Sequence, residues 1–205
     1  MIGQDLWFVG VDPGHVSGAI AMVTASGPQG GPRPAAWACW HRHGANRWRV
    51  RWSLEIVGER DSLHGAIRSA REIVLKRPIA AVAVEGMFIP RDQMRINQHL
   101  IRLYEAAGMA LALFDTPPSR PTATEWRRMI LGLSAGTCAR EAERAAVLWA
   151  ARIFGPLPES FVKVERGAVS EALAIAEYAR VSSTWDAKLA RAARRPTPRS
   201  RRGSG

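Results

Sequence analysis

The chain reads as one α/β domain built on a mixed five-stranded sheet with helices on both faces. Three observations carry that reading. Short, β-rich apolar runs crowd the start of the chain, too close together for crossovers and therefore antiparallel. At Asp61 the hydrophobic period changes to a helical one. A continuous apolar run, Ile79 to Val84, then follows a helix stop, as a central parallel strand does.

The first run, Leu6 to Val11, ends at Asp12-Pro13-Gly14, a turn signal, and a second strand from Gly18 to Thr24 follows almost at once, which predicts a hairpin. Ser26 to Pro34 is a Gly/Pro-rich loop, after which Ala35 to His41 resumes a strand pattern. Asn46 to Trp52 alternates strictly, with Arg47, Arg49 and Arg51 on one face and Trp48, Val50 and Trp52 on the other, and reads as an edge strand or an extended loop. Leu63, Ile67, Ala70, Ile73 and Val74 recur at helical spacing until Lys76-Arg77-Pro78 stops the helix. After Ile79 to Val84, the pattern predicts a helix over 92–107, a break at Gly108 and a fifth strand from Met109 to Phe114. Thr122 to Leu131, Cys138 to Phe154 and Val169 to Ser182 read as helices. Right-handed crossovers place the strand ending at Glu85 beside the strand ending at Asp12.

Composition bounds the function. Of 205 residues, 47% are hydrophobic and 23% charged, which excludes wholesale disorder, while a net charge of +11 calls for an anionic partner. Residues 187–205 hold Lys188, Arg191, Arg194, Arg195, Arg199, Arg201 and Arg202 with no acid, and read as a basic disordered tail on a domain spanning 1–186. Such a tail either solubilises the chain or contacts phosphates. Two cysteines, Cys39 and Cys138, exclude a disulfide framework and a zinc ribbon. No apolar run approaches the roughly 18 residues of a membrane span, and no basic stretch precedes an apolar one at the N-terminus, so a cytoplasmic protein without membrane contact is expected.

Asp12 and Glu85 each terminate an apolar strand. Glu171 shares a helical stripe with Ala174, Ile175 and Tyr178, whereas Glu177 and Arg180 fall on the outer face. Carboxylates crowded at a sheet end repel one another, and a bound cation relieves the repulsion. Mg²⁺ prefers oxygen ligands, and two ions can clamp the attacking and leaving oxygens of a phosphoryl displacement. The plainer reading is that Asp12 caps its turn, Glu85 opens a loop and Glu171 favours a helix N-terminus.

Four motifs then carry a family resemblance: Val9-Gly-Val-Asp-Pro-Gly-His-Val-Ser-Gly-Ala19, Val84-Glu-Gly-Met-Phe88, Glu125-Trp-Arg-Arg-Met-Ile-Leu-Gly132 and Ser170-Glu-Ala-Leu-Ala-Ile-Ala176. Their order and spacing resemble those of RuvC-like crossover-junction endonucleases over roughly residues 6–180. The compact Asp-Pro-Gly-x-x-Ser-Gly turn is similar to that of small phage-type members. The resemblance implies a ribonuclease H-like fold and a homodimer that nicks four-way (Holliday) junctions with Mg²⁺, or Mn²⁺ as substitute, in DNA recombination and repair, with no small-molecule cofactor. It makes Asp12, Glu85 and Glu171 the metal-binding and catalytic acids and Phe88 an aromatic that stacks at the branch point. Arg127 becomes the basic residue contacting the scissile region. The helix carrying Met94, Ile101, Leu103 and Tyr104 becomes the dimer contact.

One position departs from the family pattern, which puts another Asp or a His three residues before the last acid. Here it is Ala168, and Glu165 is the nearest replacement, serving only from an irregular helix start. Arg128 and Arg140 join Arg127 as phosphate contacts, and Arg91 and Arg95 as residues tracking a junction arm. His15 is a turn residue beside Asp12. The tryptophans at 37, 40, 48 and 52 either stack on unpaired bases or pack the sheet. The rival to a nuclease is a branched-DNA-binding protein of the same fold with weak or absent catalysis. A two-lobed sugar-kinase or actin-like ATPase is disfavoured by length.

Overall fold

The computed structural model describes residues 6–25, 34–45, 47–53, 55–74, 76–86, 98–112, 114 and 117–193. Its strands are β1 (Trp7–Asp12), β2 (Ser17–Thr24), β3 (Ala35–Arg42), β4 (Trp48–Trp52), β5 (Glu55–Arg60) and β6 (Ile79–Val84). They form one six-stranded sheet in the order β5-β4-β3-β2-β1-β6, antiparallel throughout except that β6 lies parallel to β1. The α/β class, the mixed sheet and the pairing of the Asp12 and Glu85 strands are as expected.

The strand count differs in two places. Trp48–Trp52 is a true strand, and Glu55–Arg60 folds back on it around Ser53, which takes a positive φ of 50°. The expected fifth strand, Met109 to Phe114, is not one: α2 (Gln98–Ala112) runs through Gly108 and Met109. Ala106, Ala107 and Ala110 make that stretch a strong helix former with a buried face, and helix propensity outweighs the single glycine. The free edge of β6 is met instead by residues 119–122, running parallel through bridges at Ala83–Ser119 and Gly86–Thr122. Prolines 117, 118 and 121 lack the amide donors a full strand requires.

Period-two alternation sorts the sheet into two faces. Trp7, Val9, Val11, Ile20, Met22, Trp40 and Val50 pack on α1 (Leu63–Val74) and α2, together with the partly buried Trp48 and Trp52. The packing reading of these tryptophans therefore holds. Trp40 Nε1 donates to the Gly14 carbonyl at 3.1 Å, and a Cβ at Gly18 would strike the same ring at 2.4 Å, so the indole fixes the turn after Asp12.

The opposite face, with Phe8, Ala19, Ala21, Val23, Cys39 and Ala83, packs on α5 (Lys163–Ala193). That helix extends beyond both ends of the expected Val169–Ser182 segment and continues past residue 186, where the basic tail was expected to begin. It is buried on more than one side, because α4 (Ala139–Phe154) lies across it. Glu177, expected on an outer face, is buried and is held by Arg180 at 2.7 and 2.8 Å. α5 comes so close to β1 that a Cβ on Gly10 would lie 2.1 Å from the Ala176 nitrogen and 2.2 Å from the Ala172 carbonyl oxygen.

Candidate active site

The site forms at the C-terminal ends of β1 and β6, beneath α5. Asp12 has the same parity as Phe8 and Gly10, and so faces α5 rather than α1. Val11 is in register with Val84, and the Glu85 amide donates to the Val11 carbonyl at 3.0 Å, which brings the two acids to one level of the sheet. Glu171 descends from α5 onto the same point.

Arg127 and its neighbour Trp126 come from the segment crossing this end. Thr122 and Glu125 form a reciprocal capping box that starts α3 (Ala123–Trp126). The backbone then widens into a π-helical turn over Arg127–Leu131, closed by Gly132 in the left-handed conformation (φ 68°). Thr122 to Leu131 is thus helical as expected, though only its first turn is α. Trp126 is fully buried and its Nε1 donates to Glu85 Oε1 at 3.3 Å; Arg127 stacks on that indole at 5.1 Å and its Nη2 donates to Glu171 Oε1 at 3.2 Å. The Arg127 Nε is also buried and has no hydrogen-bond acceptor among the described residues.

The electrostatics follow from three acids sharing one guanidinium. Burial, and then the charges of Glu171 and Glu85, hold the Asp12 carboxyl well above its ordinary pKa, against the Gly14 amide that donates to it and against Arg127. Burial likewise raises Glu85, opposed by Arg127 and by the Trp126 hydrogen bond. Glu171 is pushed up to about 7 by burial and by the charge of Glu85. Negative charge here is under-compensated, and every available donor is an oxygen. That chemistry fits a hard divalent cation. The acids stand apart, however: among the described residues, no three His, Cys, Asp or Glu side chains are gathered closely enough to hold a metal.

An open cavity of about 380 Å³ exposes Asp12, Ser17, Arg127, Arg140, Glu143 and Glu171. Arg140 and Glu143 also line a second groove, of about 580 Å³, with Arg144, Lys163 and Arg166. The structure therefore sets Asp12, Glu85 and Glu171 around Arg127, with Asp12 and Glu171 lining the cavity, Glu85 held by Trp126 and Arg140 at the rim. Arg128 is exposed on the π-helical turn and lines neither cavity. Phe88, Arg91 and Arg95 lie outside the described residues, as does Met94. Ile101, assigned to the dimer contact, is 38% exposed.

Glu165 does not replace an acid at position 168. It is fully buried on another side of α5, where its Oε1 accepts from Arg51 Nε at 2.9 Å and lies 2.7 Å from His41 Nδ1, while its Oε2 accepts from the Val162 amide at 3.0 Å. Arg51 is thereby committed to the fold, and Arg47 and Arg49 pair with Glu59 at 3.8 and 3.4 Å. Two contributors to the site escaped the sequence reading. Trp126 stands inside the Glu125–Gly132 motif, but no role was assigned to it. Glu143, on α4, was not singled out.

No protein-family model and no curated protein matches the chain. Among solved structures it is similar to Thermus thermophilus RuvC, with 19% identity and a TM-score of 0.49 over 86% of this chain and 97% of that one. A T. thermophilus RuvC in complex with a Holliday junction substrate gives 22% identity and a TM-score of 0.47, over 87% and 97% of the two chains.

Proposed function

We propose that the protein is a metal-dependent, structure-specific DNA endonuclease of ribonuclease H-like fold that nicks four-way or related branched DNA. One observation carries the reaction class: Asp12, Glu85 and Glu171, from two adjacent strand ends and a crossing helix, all feel the charge of Arg127, beside an open, arginine-rimmed cavity lined by Asp12 and Glu171. The substrate class rests on the four sequence motifs, which resemble those of RuvC-like junction endonucleases.

Asp12, Glu85 and Glu171 would hold the ions. Bound there, divalent cations supply an activated water and neutralise charge on the phosphodiester undergoing in-line displacement, leaving a 3′-hydroxyl and a 5′-phosphate. The protein's own groups do the rest. The Gly14 amide aims Asp12, and the Trp126 indole aims Glu85. Arg127, which lines the cavity beside Glu171, is placed to meet a phosphate oxygen as negative charge builds. Arg140 and the basic groove beyond it offer further phosphate contacts.

Cleavage of a synthetic four-way junction in Mg²⁺ and in Mn²⁺ tests the reading. Nicking should fall by at least a thousandfold in Asp12→Asn while junction affinity stays within a fewfold, because removing a negative charge does not weaken phosphate attraction. Undiminished cleavage by an Asp12→Asn, Glu85→Gln double variant would sink it. Ala168 favours a second reading, a branched-DNA-binding protein with little catalysis, and tight junction binding without nicking in either metal would select that one.

A further inference from the structure

Across the sheet from the acids, on the face covered by α1 and α2, another cavity of about 310 Å³ opens beside the turn that follows Asp12. Its size suits one small ligand. Trp48 forms a wall of it: only part of that ring packs on the core, and Met109 of α2 stands in the same cavity. Arg42 and Arg102, both exposed, line it too. The Arg42 guanidinium lies 5.9 Å from the centre of the Trp48 ring and is anchored on the Ala45 carbonyl through Nε and Nη2. Glu105, one helical turn on from Arg102, adds a carboxylate acceptor. An aromatic wall, two guanidinium groups and one acceptor match the three parts of a nucleotide: a flat ring, a phosphate and a base edge bearing an amino group.

The cavity also reaches the backbone that presents Asp12. His15 lines it, three residues after that acid. Trp48 Nε1 donates to the His15 carbonyl at 3.4 Å, and Trp40 Nε1 to the Gly14 carbonyl at 3.1 Å, so indoles from two neighbouring strands hold consecutive carbonyls of one turn. A ligand seated against Trp48 and His15 stiffens that turn from the face opposite the acids. We propose that this cavity is a nucleotide-binding site, taking one unpaired nucleotide with its base against Trp48 and Met109, its amino edge at Glu105 and its phosphate between Arg42 and Arg102. The same chemistry belongs to an unpaired residue of a DNA strand and to a free mononucleotide. With DNA as the source, the inference deepens the branched-DNA reading above and rests on it.

The test titrates the full chain, without metal, into a four-way junction carrying one unpaired 2-aminopurine at the branch and, separately, into 2-aminopurine deoxyribonucleoside monophosphate. Stacking on Trp48 should quench the fluorescence of one probe or both, and which probe responds identifies the source. Trp48→Leu should remove the quench and weaken binding at least fivefold. Arg102→Gln, on the exposed side of α2, should weaken binding of the quenched probe about fivefold at an unchanged melting temperature, and it carries the test alone if Trp48→Leu does not fold. Arg152→Gln removes an exposed cation of α4 and should change binding less than twofold. A quench that survives in folded Trp48→Leu, or equal losses in the two arginine variants, would overturn the site. No quench of either probe, with Mg²⁺-dependent nicking intact, would overturn the site and leave the nuclease reading standing. Quenching of the mononucleotide by a chain that does not bind the junction would keep the site and overturn the branched-DNA reading.

Discussion

Helix α5 carries two buried glutamates six residues apart, and they are treated in opposite ways. Glu165 is enclosed by an arginine, a histidine and a backbone amide. Burial alone would raise its pKa, but the hydrogen bonds from His41 and Val162 and the charge of Arg51 win, and the carboxylate is held below its ordinary range. Glu171 shares one guanidinium with two other acids, opens onto a cavity and is pushed up to about 7. The first centre is closed by the protein's own cations and the second is left short of them. A fold can afford such a deficit only where something outside the chain makes it good.

The contrast can be broken by substitution. Glu165→Ala strands Arg51 and His41 in the interior and should cost about 3–5 kcal/mol, measured by urea denaturation. A loss under about 1 kcal/mol would reduce the cluster to the worth of a surface pair. Glu171→Gln should act in the other sense, raising stability at pH 8 by on the order of 1–2 kcal/mol in metal-free buffer, because it removes a charge that the native state disfavours. A destabilised Glu171→Gln would mean that Arg127 already compensates the site.

The same asymmetry has a pH signature. Asp12, Glu85 and Glu171 have native pKa values above their unfolded ones, so above the ordinary carboxylate range the native state holds extra protons, which for Glu171 persist up to about 7. Their contribution to stability is thus most favourable at low pH and falls as pH rises through that window. Glu165 runs the opposite way, its stabilisation present above the ordinary value near 4.5 and lost as pH falls through its lowered native value. Metal-free protein should therefore melt higher near pH 5.5 than at pH 8, and saturating Mg²⁺ should shrink the difference. The smallest effect belongs to Trp126→Phe, which keeps the ring but removes the donor to Glu85, at a cost on the order of 1 kcal/mol in denaturant unfolding.

Much of this was legible in the chain itself. Asp12 and Glu85 announce themselves because each ends an apolar strand, and strand parity then dictates the face they share. Glu171 stands out as a charge on an apolar helical stripe. Glu165 misled because sequence proximity to Ala168 says nothing about which side of a long helix is walled in; its partners, Arg51 and His41, come from β4 and β3. Glu143 had no signal at all, since its place in the cavity depends on α4 packing against α5 at Gly167. The strand expected at Met109 failed for a local reason: alanine-rich apolar segments satisfy either period, and burial of Ala106 and Ala110 against the sheet favoured the helix.

Gly10 sits two residues before Asp12 and lies against the backbone of α5 at Ala172 and Ala176, just past Glu171. The spacing between those acids is consequently gauged by main chain on main chain, with no side chain between to act as a shim. Such a joint has almost no tolerance. A single methyl at position 10 would act as a feeler too thick for its slot, lifting the helix and widening the jaw between Asp12 and Glu171 although neither acid had been touched.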